Sequence, residues 1–130
     1  MQIFDSRNNL LALLINFDKE NNRTKFFTDS SLDFQAALFN LEKDEKIERH
    51  IHNKISREIS STSEAIYVIN GKIKIGIYDN EKKFIDEIEV KTNELILLFQ
   101  GGHSLNILEK TKFFEIKQGP YFELEDKERF

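Results

Sequence analysis

Cysteine and tryptophan are both missing from this chain of 130 residues. Without cysteine there is no disulfide framework and no thiolate chemistry. A long apolar run is missing too, since no segment approaches the roughly 20 residues of a membrane span. The start, Met1-Gln2-Ile3-Phe4-Asp5-Ser6-Arg7, has no apolar stretch behind a basic one, so no signal peptide is expected. Basic charge is not concentrated anywhere. The 19 Lys and Arg are interspersed with 23 Asp and Glu, for a net charge of −4. With no basic stripe to neutralise phosphates, nucleic acid is not an expected partner. What remains is a cytoplasmic protein away from membranes, of a length suited to one domain with one ordinary core. Twelve phenylalanines set against no tryptophan suggest an aromatic-rich interior.

Helical periodicity is equally scarce. Residues 10–17 fit a helix by pattern alone, but Asn8-Asn9 and Asn21-Asn22 bracket a strand there as easily. The rest reads as short strands: 34–39, 46–52, 64–69, 72–78, 84–90, 94–99, 104–108 and 112–117. Turn formers separate several of them, namely Asn70-Gly71, Asp79-Asn80, Thr92-Asn93 and Gly101-Gly102. Asn70-Gly71 between two β-rich runs is a strong hairpin signal. Lys72-Ile73-Lys74-Ile75-Gly76-Ile77 alternates polar and apolar, as a strand with one face in water does. Many short strands without intervening helices indicate an all-β sandwich or barrel. Neither an internal repeat nor an interdomain linker is visible.

Chemistry concentrates on the histidines. His50 and His52 stand two apart in an expected strand, so their side chains share a face. Glu64 opens the next strong strand pattern, and His103 follows Gly101-Gly102. These are all three histidines of the chain. Three imidazoles and one carboxylate can hold a divalent transition metal: iron, manganese, nickel, zinc or cobalt.

The same residues resemble the cupin family over about residues 33–120. The first cupin motif asks for Gly, five residues, His-x-His, a short spacer, Glu, six residues and Gly. Asp44 stands in the first Gly place, five residues before His50, and Glu64 is followed by six residues and then Gly71. The spacer between His52 and Glu64 is eleven residues, where the family has three or four. Asn93, Phe99, Gly101, His103 and Asn106 fall near the places of the second motif. Asp and Asn in glycine places are physically reasonable, because both tolerate left-handed turns. The run Glu115-Ile116-Lys117-Gln118-Gly119-Pro120-Tyr121, with Gly101-Gly102-His103, is similar to small single-domain bacterial cupins. Those are met beside genes for surface polysaccharide or sugar-nucleotide synthesis.

The resemblance implies a jelly-roll β-barrel or sandwich, a metal held by His50, His52, Glu64 and His103, and a homodimer. Glu58 is the rival carboxylate, but its spacing to Gly71 departs from the motif. Arg57 in the long spacer either grips a carboxylate or phosphate or is a solvated arginine. Gln35 and Tyr67 are further candidates for orienting a substrate, with packing as the other role for Tyr67. Lys117 shares a strand face with Phe113 and Glu115, where salt bridging on the outer surface is expected. Gly101 and Gly102 are read as the turn that aims His103. Asn106 is read as a turn cap or a support for a metal ligand. The charged tail, residues 123–129, is read as a solvated extension that covers a neighbouring subunit, with Phe130 docking at its end.

A nucleophilic triad is excluded, since cysteine is absent and every histidine is assigned to the metal. A phosphate-cradling loop is excluded as well, because no lysine and helix follow Gly101-Gly102. The expected function is therefore metal-dependent catalysis on a small polar metabolite such as a sugar or sugar nucleotide. Two alternatives stand beside it: a module that binds metal or carbohydrate without turnover, and a metal-free structural cupin.

Overall fold

In the computed structural model, residues 1–122 and 127–130 are described, and they form an all-β protein with no α-helix. The chain divides into two compact units, Met1–Lys19 with Ser61–Phe130, and Glu20–Ser60. Among the described residues, no helix is long and apolar enough to cross a membrane.

The larger unit holds two antiparallel sheets. The first contains β1 (Gln2–Phe4), β2 (Leu10–Asn16), β8 (Glu94–Leu98), β5 (Glu64–Asn70) and β10 (Lys112–Lys117), in the order β1-β2-β8-β5-β10. The second contains β6 (Lys72–Tyr78), β7 (Phe84–Lys91) and β9 (Gly102–Ile107), in the order β7-β6-β9. They remain separate sheets and are not hydrogen-bonded into a closed barrel. Alternation explains how they face each other. On β6, Ile73, Ile75 and Ile77 point one way and are fully buried, while Lys72, Lys74 and Tyr78 are partly exposed. On β5, Ile66 and Val68 answer from the other sheet. Ile88, Val90, Ile96, Leu98 and Leu11 complete one shared core. Each such side chain contributes about 1.5–3 kcal/mol by leaving water.

That core is aliphatic, which corrects the expectation of an aromatic interior. Phe4, Phe84 and Phe114 are exposed on strands of the larger unit, and Phe99 is its one buried phenylalanine among the described residues. Facing sheets lie about 10 Å apart, a gap that β-branched side chains fill in their preferred rotamers.

Asn70-Gly71 also behaves differently from a hairpin turn. β5 pairs with β8 and β10, whereas β6 pairs with β7 and β9, so the chain crosses there from one sheet to the other. Gly71 takes φ +102°, and a Cβ on it would lie 2.7 Å from the Lys110 carbonyl oxygen. Glycine is needed for conformation and for space alike. In the larger unit, consecutive strands pair as hairpins at β1–β2 and β6–β7. In the first, Asp5 accepts hydrogen bonds from the Arg7 and Asn9 backbone N–H groups at 2.9 and 2.8 Å. In the second, Asp79 does the same for Glu81 and Lys83, both at 2.9 Å. Each is an Asx-type turn, in which a short carboxylate replaces strand partners.

The smaller unit has one two-stranded ribbon, β3 (Thr24–Phe26) with β4 (Ala37–Phe39), and no buried residue. Phe26 and Phe39 meet edge to face across it. Arg23 bonds Glu45, and Lys25 bonds Glu20 at 2.7 Å. Residues 46–52, expected as a strand, have no regular secondary structure and are exposed. A strand needs a hydrogen-bonded neighbour, and within this unit only β3 and β4 supply one another.

Candidate functional site

Glu64 stands in register with Ile66 and Val68, so the row that fills the core ends in a carboxylate. On β9, His103 lies opposite Ile77 and Leu105 opposite Ile75, a row that ends in an imidazole. The two rows face each other from different sheets. At the end of the sandwich His103 Nε2–H donates to Glu64 Oε2 at 3.1 Å. Glu64 is only 5% exposed. The histidine is more open, its side chain retaining 29% of its surface.

The hydrogen bond from His103 holds the Glu64 carboxyl below the usual glutamate range. Burial acts in the opposite direction and is outweighed, with further help from the charges of His103, Lys127 and Lys117. Lys117 sits opposite Glu64 in the β10–β5 register, and its Nζ lies 4.1 Å from the centre of the Tyr121 ring. Its row on β10 includes Phe113, which packs against the core, and its charge adds to those acting on Glu64.

The pair opens into a cavity of about 500 Å³ lined by Glu64, His103, Tyr78, Gln100, Gly102 and Phe130, among others. Gly101, at φ +79°, makes the turn into β9, and a Cβ there would run into the Tyr78 carbonyl. It aims His103 as expected. Gly102 has another role: it is a strand residue, and the room it leaves is taken by the ring of Phe130. Residues 127–130 are exposed, as expected of a solvated extension, and they also line this cavity of their own chain. The rest of that tail, residues 123–126, lies outside the described residues.

The other candidates are placed as follows. His50 and His52 are exposed in the smaller unit, with rings 5.2 Å apart at 84°. His50 Nδ1–H donates to the Glu48 carbonyl at 2.9 Å. Arg57 and Glu58 are exposed in the same irregular stretch. Gln35 spends its amide on its own loop, donating to the carbonyls of Asp29 and Leu32 at 2.7 and 2.6 Å. Tyr67 lies on the face of β5 opposite to Glu64, packed on Phe17 and donating to Asn93 at 2.9 Å. Asn106 is exposed in mid-strand, opposite Lys74. Among the described residues, no three His, Asp or Glu side chains gather closely enough to hold an ion together. The donors stand as two pairs, one in each unit.

Two features escape a reading by motif. Tyr78 and Lys127 border the cavity without any spacing that marks them, although Lys127 adds positive charge beside Glu64. Compared with protein-family models, curated proteins and solved structures, the chain gives no match.

Proposed function

We propose that this protein is a metal-binding cupin that acts on a small polar metabolite such as a sugar or sugar nucleotide. The observation that carries this reading is the Glu64–His103 pair at the head of its cavity. Two ligands of one ion, each about 2.1 Å from it at right angles, stand about 3.0 Å apart. Glu64 Oε2 and His103 Nε2 are separated by 3.1 Å, so their placement suits neighbouring positions around one cation. An ionised carboxylate and an imidazole nitrogen also suit the metals named above. Support for a jelly roll comes from the strand path, in which β5, β8 and β10 alternate with β6, β7 and β9 between two sheets.

In this reading Glu64 and His103 hold the ion. Such an ion supplies Lewis-acid polarisation of a carbonyl or hydroxyl. Homodimerisation and a cytoplasmic setting belong to the same proposal. The test is metal analysis of protein purified without a histidine tag, followed by turnover assays on sugar nucleotides. Bound transition metal near one equivalent, lost in His103→Ala and Glu64→Gln, supports the metal site. Turnover that disappears together with the metal in His103→Ala supports an enzyme, and metal without turnover leaves a binding module. Metal-free protein that takes up none on addition overturns the reading.

A further inference from the structure

The cavity has a second half that the Glu64–His103 pair does not use. Its wall is Tyr78 at the end of β6, and the space beside it holds the ring of Phe130. The two rings meet edge to face, with centroids 5.2 Å apart at 87°. Gly102 makes the room. A Cβ there would lie 2.8 Å from Phe130 Cζ but 3.4 Å from Tyr78 Cβ, which is ordinary contact. Its missing side chain therefore serves the ring rather than the strand.

Lys82, in the β6–β7 turn, completes the arrangement. Its Nζ donates to the Glu128 carboxylate at 2.6 Å and lies 5.8 Å from the centre of the Phe130 ring. Both of these partners come from the same short segment. One aromatic edge contact and one exposed ion pair are weak restraints. Phe130 keeps 64% of its surface exposed even when seated. The occupant is lightly held.

We infer that this slot is a subsite for a ligand carrying a planar aromatic ring beside an anionic oxygen group, carboxylate or phosphate. Phe130 and Glu128 fill it as the chain's own stand-in, ring on Tyr78 and carboxylate on Lys82. A ligand takes the same two positions once the segment moves aside. The subsite stands apart from the metal proposal, because Tyr78, Gly102 and Lys82 are not among the proposed ligands.

NMR titration of the full chain with phenyl phosphate, in the presence of EDTA, tests it through the Gly102 and Lys82 amides. Phe130→Ala removes a mostly exposed ring, and its melting temperature confirms the fold. Removing the competitor raises the fraction of open slot, so Phe130→Ala binds phenyl phosphate at least about fivefold more tightly than the intact chain. Glu128→Gln, which frees Lys82 without touching the ring, also tightens binding. Adding Lys82→Ala to Phe130→Ala abolishes the gain. Benzoate in place of phenyl phosphate separates a carboxylate from a phosphate preference. Equal affinity in the intact chain and both single variants overturns the inference. So does inorganic phosphate that shifts the Gly102 amide as far as phenyl phosphate does.

Discussion

Gly101 and Tyr78 are in such close contact that no other residue type fits at 101: a Cβ there would meet the Tyr78 carbonyl. The same Gly101 has φ +79°, in the region that side chains disfavour. Gly101→Ala therefore costs about 2–4 kcal/mol, from backbone strain and from the clash together. Thermal unfolding measures the loss. Because the turn aims His103, NMR of the variant should also show the Glu64–His103 contact broken. A variant that melts like the parent would contradict the tight turn.

Glu64 ties stability to pH. Its carboxyl is held below the usual glutamate range in the folded protein, so its contribution is present above the unfolded-state value. That contribution disappears as pH falls from the unfolded value through the lower folded value. The parent should lose stability between neutral pH and acid more steeply than Glu64→Gln does. Urea unfolding at pH 7 and pH 4 gives both slopes, and parallel slopes would count against the pair.

Asp5 supplies an exposed counterpart. Asn9, through its side-chain amide and then its backbone, holds the Asp5 carboxyl below the ordinary aspartate range, with a smaller contribution from Arg7. The turn it organises is therefore firm above that range and loosens in acid. The protection of the Arg7 and Asn9 amides against hydrogen exchange, taken relative to the intrinsic rate at each pH, should fall on acidification. Asp5→Ala should show the faster exchange already at neutral pH.

Isoleucine, rather than phenylalanine, carries the stability. Ile75 is 0% exposed between the sheets, and Ile75→Ala should cost about 2–5 kcal/mol. Phe84, on an outer face, is exposed, and Phe84→Ala should stay within about 1 kcal/mol. Denaturant melts of the two variants decide between an aliphatic and an aromatic core.

Phe114 and Ile116 lie exposed on β10, an edge strand of the five-stranded sheet. An exposed apolar edge favours strand-to-strand pairing. If the proposed dimer uses it, light scattering should find a dimer for the parent and a monomer for Phe114→Asp. A dimer that survives the substitution places its interface elsewhere.

Much of the site was legible before folding. The 64–69 and 72–78 patterns located β5 and β6, and the glycine pair before His103 marked the turn that aims it. The placement of Glu64 follows from alternation alone, since it shares parity with Ile66 and Val68. His50 and His52 mark where such reasoning stops. Their shared face presumes a strand, and residues 46–52 have no ladder partner to make one. Tyr78, Lys82 and Phe130 could not be grouped from the sequence, because spans of 4 and 48 residues separate consecutive members. Only folding closes such distances.

Local alternation determined where the long strands of the larger unit run, which of their residues face inward, and where the chain turns between them, because a period of two acts between near neighbours. Tertiary structure decided which strands pair, that Asn70-Gly71 crosses between sheets, and that Glu64 meets His103. Those outcomes depend on hydrogen bonds and burial between segments tens of residues apart, and no local preference encodes them.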